Sequence, residues 1–299
     1  TRHPCAEKAG PRRGGAFSMT MKSVRRKRGA RPRRGGARLG QHFLTGQWAA
    51  RKLAEAVRVR PDETILEIGP GKGALTEELL AVGTRVVAIE KDPVLVRQLH
   101  ERFTKSIIEK KLIVVEADVR DFDPLKFGLT TGKYILAANI PYYITGEIIR
   151  QFLETATQPR AMALLIQKEV AERIIARPAD GGARNGKESI LSLSVKAYGG
   201  PKIVAKVSRG NFSPPPNVDS AILLIEHISK EFFGNLDEKI FFKVVKAGFA
   251  SKRKFLANNL AVAFGKDAVL HALKACGLDT DVRAEDVPFE KWKCLTGQL

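Results

Sequence analysis

The stretch TILEIGPGKGAL, residues 64–75, joins a short apolar run to a helical pattern through three closely spaced glycines. Apolar runs of about 4–8 residues bounded by turn signals are typical of buried strands. Glycine at such a junction allows the tight turn by which a strand enters the next helix. The stretch therefore predicts one strand–turn–helix unit of an α/β fold.

The same alternation continues along the chain. Strands are predicted over residues 64–69, 85–92, 112–118, 133–139, 161–167, 201–208 and 220–227. Helices are predicted over residues 48–58, 73–83, 93–103, 145–156, 169–176 and 189–199, with a loop over 178–188. Strands that alternate with helices at this spacing predict a parallel, doubly wound, Rossmann-like sheet.

The pattern changes after residue 228, where three helical stretches, 238–250, 251–264 and 266–277, follow one another with no strand pattern between them. This predicts a small α-helical C-terminal domain. We therefore expect a basic tail over residues 1–38, a sheet-containing domain over 39–227 and a helical domain over 228–299.

The charge of the chain is strongly positive. Its net charge is +19 and its pI is about 10.0. Residues 1–38 hold 13 Lys or Arg residues and one acid, Glu7. This charge indicates a polyanionic partner, with nucleic acid favoured over a membrane. The tail is rich in Gly, Pro and Arg, so we expect it to be disordered and to act as an RNA-binding arm.

Neither a membrane span nor a metal site is expected. The sequence contains no run of about 18 uninterrupted apolar residues, the length that a spanning helix needs. Cys5, Cys276 and Cys294 lie far apart and lack the spacing of metal ligands. We interpret them as reduced thiols of a cytoplasmic protein.

The glycine turn indicates a nucleoside cofactor. The turn contains Gly69, Gly71 and Gly73, and Ala74 could fill the last position of the dinucleotide-binding fingerprint G-x-G-x-x-G/A. The spacing alone therefore does not exclude NAD. Glu67 precedes the turn in the order E-x-G-x-G, which instead favours S-adenosylmethionine (SAM), a ligand without a pyrophosphate.

Two acids at the ends of the next strands support this reading. Glu90 lies 21 residues after Gly69, where a carboxylate accepts hydrogen bonds from a ribose diol. Asp118 ends the third strand, within reach of an adenine ring. Either acid alone is more often a solvated loop carboxylate. Together, Gly69, Glu90 and Asp118 stand at three successive strand ends along one edge of the sheet, and this arrangement favours a cofactor site.

Eight motifs carry a family resemblance. They are GQHFL (40–44), EIGPGKGALT (67–76), IEKD (89–92), AD (117–118), NIPYYI (139–144), LLIQKEVAERI (164–174), NFSPPPNVDSAI (211–222) and GFASKRKFLANNL (248–260). In this order they resemble the ribosomal RNA adenine N6,N6-dimethyltransferases that modify small-subunit rRNA, from about residue 38 to residue 299. NIPY and FSPPPNVDSA are specific motifs, whereas the glycine turn alone is not.

The resemblance implies SAM as the cofactor. The implied cofactor contacts are His42, Leu44, Gly69, Glu90, Asp118 and Asn139. Position 42 is often Asn in bacterial members and is His in this chain, a change without effect if the backbone makes the contact. The segment ESILSLSV, residues 188–195, also departs from the pattern of many relatives, close to where we expect the RNA to enter.

The NIPY motif matches the chemistry of amine methylation. The N6 lone pair of adenine is delocalised into the ring, so two acceptors aimed at the N6 hydrogens favour a reactive nitrogen. The Asn139 side-chain oxygen and the Ile140 carbonyl can supply them, and Pro141 keeps the turn rigid. Tyr142 offers a face on which the base stacks, and Phe212 is predicted on the other face. No general base is assigned.

Three consecutive cations are candidates for RNA binding. Lys252, Arg253 and Lys254 are predicted in a helix with Phe249 and Phe255. Basic residues on a helix usually mark only a solvent-exposed face. Here the expected substrate is an anionic nucleic acid, which favours contact between these residues and its phosphates. The domain over residues 228–299 is therefore expected to bind RNA.

These features predict a monomeric, cytoplasmic enzyme that acts on small-subunit rRNA or the partly assembled 30S subunit. The expected reaction is SAM-dependent dimethylation of two adjacent adenosines in a hairpin loop near the 3′ end of that rRNA. The alternatives are a large-subunit rRNA or DNA adenine methyltransferase and a non-catalytic ribosome-assembly or transcription factor on the same fold. A NAD-dependent enzyme is disfavoured because no hydride-transfer site follows the cofactor motifs.

Overall fold

The computed structural model describes residues 42–176 and 186–299. Its strands are β1 Phe43–Leu44, β2 Thr64–Ile68, β3 Val86–Glu90, β4 Leu112–Glu116, β5 Tyr134–Asn139, β6 Ala161–Gln167, β7 Gly200–Val207, β8 Phe212–Ser213 and β9 Ser220–Glu226. The tail predicted over residues 1–38, most of the loop predicted over 178–188 and part of the GQHFL motif lie outside the described residues.

The helices follow the predicted alternation. They are α1 Gln47–Val57, α2 Ala74–Ala81, α3 Pro93–Arg102, α4 Thr104–Ile108, α5 Thr145–Glu154, α6 Lys168–Ile175, α7 Ile190–Tyr198, α8 Glu238–Gly248, α9 Leu256–Phe264, α10 Lys266–Ala275 and α11 Phe289–Gln298. Local signals fix several ends. For example, α3 begins at Pro93, and the Asp92 side chain caps it by accepting from the Val94 N–H at 2.8 Å.

A seven-stranded sheet has the order β4-β3-β2-β5-β6-β9-β7. The first five strands in this order are parallel, whereas β9 is antiparallel to both β6 and β7. The predicted doubly wound α/β class is confirmed, and the exception is this antiparallel edge. Residues 208–219 join β7 to β9 without a crossover helix, which only an antiparallel pair allows.

Both faces of the sheet are covered. Ile65 of β2 points into an apolar cluster with Leu53 of α1 and Leu79 of α2. Leu66, its neighbour, points into the other cluster with Ile148 of α5. Alternate strand residues point to opposite faces, so this two-sided burial explains the near-continuous apolar strands.

The second cluster continues from the sheet into the C-terminal helices. It runs from Leu66 and Ile148 to Phe241 of α8 and Trp292 of α11, which are both fully buried. The described residues, 42–176 and 186–299, belong to one compact unit. The C-terminal region is helical as predicted, and the domain boundary at residue 228 stays a prediction. No helix in the described ranges is long and apolar enough to cross a membrane.

The basic segment lies on a turn, so the prediction of a helix over residues 251–264 is wrong at its start. Helix α9 begins at Leu256, and Phe255 before it is extended, with φ −64° and ψ 151°. The Asn259 side-chain nitrogen donates to the Gly248 carbonyl at 2.7 Å and to the Ser251 carbonyl at 2.9 Å. These bonds satisfy carbonyls that a continuous helix would have used.

The prediction of reduced thiols is wrong for two cysteines, because Cys276 and Cys294 form a disulfide. Their Cα atoms lie 5.8 Å apart although 18 positions separate them in sequence. Cys276 caps the end of α10, and Cys294 lies within α11. The packing of these helices brings the thiols together, and sequence spacing does not reveal it. Cys5 lies outside the described residues.

Candidate active site

A cavity of about 430 Å³ opens at the carboxyl ends of the parallel strands. The strand order reverses there, since β3 lies on one side of β2 and β5 on the other. Ligands of open α/β sheets bind at such switch points. Eight of the predicted site residues line the cavity: His42, Leu44, Gly69, Glu90, Asp118, Asn139, Pro141 and Tyr142.

The glycine turn gives the cavity an open backbone wall. Gly69 and Gly71 have positive φ values of 65° and 58°, which residues with a side chain rarely adopt. A Cβ atom on Gly69 would meet nothing within 4 Å, whereas one on Gly71 would lie 3.1 Å from the Phe43 ring. The strand that carries Phe43 therefore packs directly over the turn.

Glu90 is held rigidly beneath this turn. Its carboxylate is buried and accepts from three backbone N–H groups: Gly71 at 3.1 Å, Lys91 at 2.8 Å and Asp92 at 3.0 Å. Only the first of these bonds reaches Oε2, so that oxygen retains acceptor capacity. A ribose hydroxyl is a suitable donor to it.

Asp118 is paired with two cations that the sequence analysis did not assign to the site. Lys91 Nζ lies 2.7 Å from Asp118 Oδ2, and Arg120 Nη2 lies 2.5 Å from the same oxygen. The hydrogen bonds from Arg120, and then from Lys91, hold the pKa of the Asp118 carboxyl well below its usual range. The sequence contained a signal for both cations, because Lys91 directly follows Glu90 and Arg120 lies two residues after Asp118.

Glu67 lies behind the cavity wall instead of lining it. It is fully buried, and neither carboxyl oxygen has a hydrogen-bond partner. Burial raises the pKa of Glu67 to about 8, against the lowering effect of the neighbouring Thr76 hydroxyl and with a smaller contribution from the charge of Glu90. At neutral pH this acid is therefore mostly protonated.

The Asn139 side chain presents an acceptor to the cavity. One of its terminal atoms lies 3.1 Å from the His42 backbone carbonyl. A carbonyl can only accept, so that atom is the amide nitrogen and the amide oxygen is left unengaged by this bond. His42 thus contacts Asn139 through its backbone carbonyl and not through its side chain. This contact does not depend on whether residue 42 is His or Asn.

Tyr142 has a fixed ring beside this acceptor. Its hydroxyl lies 2.8 Å from Ser220 Oγ, and its ring centroid lies 5.8 Å from that of His42. Burial, aided by the charge of Asp219, raises the pKa of Tyr142, so the phenol stays neutral. Tyr143, which the sequence analysis did not assign to the site, is 69% exposed and also lines the cavity.

Phe212, the predicted second stacking partner, is not brought into the cavity. It is 4% exposed and packs in the core cluster that contains Leu44. The two residues are register partners, because β8 pairs antiparallel with β1. This pairing turns the Phe212 ring into the core and leaves it no free face for a base.

The predicted RNA-binding residues lie outside the cavity. Lys252, Arg253 and Lys254 are exposed on the turn before α9, next to Phe255, which is 42% exposed. The Asn259 side chain, which follows the turn, donates to the Gly248 and Ser251 carbonyls, which precede it, and so ties its two ends together.

The chain is similar to known proteins along most of its length. The chain matches the family described as Ribosomal RNA adenine dimethylase over residues 34–296. It is 41% identical over 259 residues to the ribosomal RNA small subunit methyltransferase A of Dehalococcoides mccartyi (strain CBDB1), covering 86% of each protein. It is 38% identical over 267 residues to the enzyme of the same name in Moorella thermoacetica, covering 87% of this chain and 91% of that relative.

Two solved structures have the same fold. The 23S rRNA methyltransferase ErmE is 27% identical with a TM-score of 0.67, covering 86% of this chain and 99% of that one. A dimethyladenosine transferase from Plasmodium falciparum is 24% identical with a TM-score of 0.67, covering 85% of this chain and 96% of that one.

Proposed function

This chain belongs to the ribosomal RNA adenine dimethylase family, and we propose that it dimethylates two adjacent adenosines in a hairpin loop near the 3′ end of small-subunit rRNA. The observation that carries the choice of subunit is the 41% identity to a small-subunit enzyme, against 27% to the 23S enzyme ErmE. We further propose that it works as a monomer in the cytoplasm.

The cavity suits SAM, the methyl donor of this family. Its volume, about 430 Å³, lies within the range of about 300–1,000 Å³ that is usual for small-molecule sites. Glu90 would hold the ribose, Asp118 the adenine edge, and the backbone beside Gly69 the methionine part. When bound, SAM supplies an electrophilic methyl group.

Asn139 is the residue that we expect to activate the target amine. Its amide nitrogen is engaged by His42, so its oxygen is the atom left to accept an N6 hydrogen. The Ile140 carbonyl is the second acceptor in this proposal. Two such acceptors favour a pyramidal nitrogen with an available lone pair. After the first methylation only one hydrogen remains, so one acceptor goes unused.

Tyr142 supplies the stacking face for the extruded adenine. Base stacking on an aromatic side chain contributes about 1–3 kcal/mol. The hydrogen bond to Ser220 fixes the ring before the base arrives. The target base has to leave its own stack to reach such a site. Phe212 could stack on the other face only after a rearrangement of β1 and β8.

The proton of the amine leaves to water after methyl transfer. The carboxamide of Asn139 is neutral, Tyr142 has a raised pKa, and Glu67 does not line the cavity. None of these groups is suited to act as a general base.

The turn that carries residues 252–254 is proposed to contact RNA phosphates. Exposed lysine and arginine side chains give affinity that falls with salt and carry no sequence information. Site selection would come from the shape of the assembled subunit RNA.

The test is mass spectrometry and primer extension on rRNA after incubation with SAM and small subunits from an undimethylated strain. We expect dimethylation at two adjacent adenosines of small-subunit rRNA and none in large subunits. Modification of large-subunit rRNA alone would move the protein to the 23S-modifying class. Absence of SAM binding in calorimetry would support a non-catalytic assembly factor.

A further inference from the structure

Residues 42–46, which we call the strap, run between the cavity and the loop of residues 208–214. On the cavity side, the His42 carbonyl accepts from the Asn139 side chain at 3.1 Å. The Phe43 ring covers the glycine turn, and Leu44 is buried beside it. The strap thus touches both the proposed amine-binding group and the cofactor wall.

On its other side the strap is fixed to the loop. The Asn211 carbonyl accepts from the Thr45 N–H at 2.8 Å, the Gly46 N–H at 3.1 Å and the Thr45 hydroxyl at 3.2 Å. His42 Nδ1 donates to the Pro214 carbonyl at 2.8 Å, since a carbonyl oxygen can only accept. Three donors on one carbonyl make Asn211 the main anchor.

We propose that the backbone carbonyl of Asn211 is a positioning group for methyl transfer, because it anchors the strap whose His42 carbonyl sets the orientation of the Asn139 carboxamide. Glycine at position 211 keeps this carbonyl and removes only the side chain. This inference rests on the proposed function of Asn139. A carboxamide turned by 180° would present N–H donors to an amine whose own hydrogens are donors. Only the orientation that the strap imposes gives an acceptor at that point.

Gly46 is the place where the anchor can be disturbed selectively. Its φ of −76° and ψ of 107° suit any residue, so alanine causes no backbone strain there. An added Cβ would lie 2.1 Å from Asn211 Oδ1, 2.8 Å from its Cγ and 3.0 Å from its Cβ. Rotation of the Asn211 carboxamide would break its bonds to Ser208 and would leave the Cβ contact in place.

The experiment compares Gly46→Ala, the double variant Gly46→Ala/Asn211→Gly and the control Gly146→Ala. Gly146 lies in the first turn of α5, and a Cβ there would meet nothing within 4 Å. Each variant is assayed for kcat and KM with small subunits. The side-chain NH₂ signal of Asn139, assigned by its loss in Asn139→Asp, is followed by ¹⁵N NMR as a readout that needs no catalysis.

We expect Gly46→Ala to lower kcat about tenfold, because a small misplacement of the acceptor slows the reaction, and to shift the Asn139 signal. Asn211→Gly should restore both to near the wild-type values, and Gly146→Ala should change neither. Full activity of Gly46→Ala with an unmoved Asn139 signal would overturn the inference, as would a loss that Asn211→Gly does not relieve. If the wild type does not methylate small-subunit rRNA, the proposed function fails, and the NMR signal alone decides the inference.

Discussion

Replacing Glu67 with glutamine tests the electrostatics behind the glycine turn. Burial and the charge of Glu90 raise the pKa of Glu67 from the ordinary 4.5 to about 8. At a pH between 4.5 and about 8, the Glu67 carboxyl has already lost its proton in the unfolded chain but still keeps it in the folded chain. Stability from this group is therefore fully present below pH 4.5 and is lost as the pH rises toward 8.

The size of the effect follows from the two pKa values. Between about pH 5 and about pH 8, the ionisation of Glu67 alone should lower the free energy of unfolding by roughly 3–4 kcal/mol. Glutamine has nearly the same shape and does not titrate, so Glu67→Gln should lack this decline. Its own buried amide lowers stability equally at every pH and leaves the slope unchanged.

The assay is urea unfolding of wild type and Glu67→Gln at several pH values across this window. Glu116→Gln, which changes an exposed carboxylate at the end of β4, shows how much any surface acid contributes. We expect the stability difference between Glu67→Gln and wild type to grow by roughly 3–4 kcal/mol toward high pH. A parallel decline in both proteins would refute a raised pKa at Glu67.

Three further outcomes are expected. Double replacement of Cys276 and Cys294 by serine should lower the unfolding free energy by about 3 kcal/mol in urea titration, because the disulfide closes an 18-residue loop; an unchanged midpoint would count against the bond. Alanine at any of residues 252–254 should reduce the salt dependence of RNA binding by about one phosphate contact in filter binding, and an unchanged slope would exclude that contact. Tyr142→Ala should weaken rRNA binding about 5- to 150-fold by loss of stacking, whereas Tyr142→Phe, which loses only the bond to Ser220, should bind nearly as wild type.

The parallel part of the fold could be predicted from local patterns. The strand over residues 161–167 was predicted with its observed bounds, because a fully buried strand is a continuous apolar run between turn signals. The helix over residues 93–103 could be predicted because its apolar pattern begins at a proline, which favours the first turn of a helix; the Asp92 cap was not predicted. The antiparallel direction of β9 depends on the connection of residues 208–219, whose path the strand pattern does not contain.

The errors share one physical cause. The turn at residues 252–254 exists because Asn259, several positions later, takes the Gly248 and Ser251 carbonyls. Phe212 enters the core because β8 pairs with β1, far away in sequence. Each error reflects a tertiary contact that overrides the local pattern, and the same holds for the Cys276–Cys294 disulfide.

The site was predictable where a residue's role follows from its place at a strand end. The sequence indicated Glu90 and Asp118, and both line the cavity. It did not indicate that Asn139 would be oriented by the His42 carbonyl, since that contact joins residues 97 positions apart.

The most direct test of the central claim is the rate of methyl transfer by Asn139→Ala, measured with tritiated SAM and small subunits beside its affinity for the same RNA. We predict that transfer is lost while the RNA dissociation constant stays within about threefold of the wild-type value, because the substitution removes an acceptor for the amine and no phosphate contact. Full transfer activity in Asn139→Ala would contradict the account.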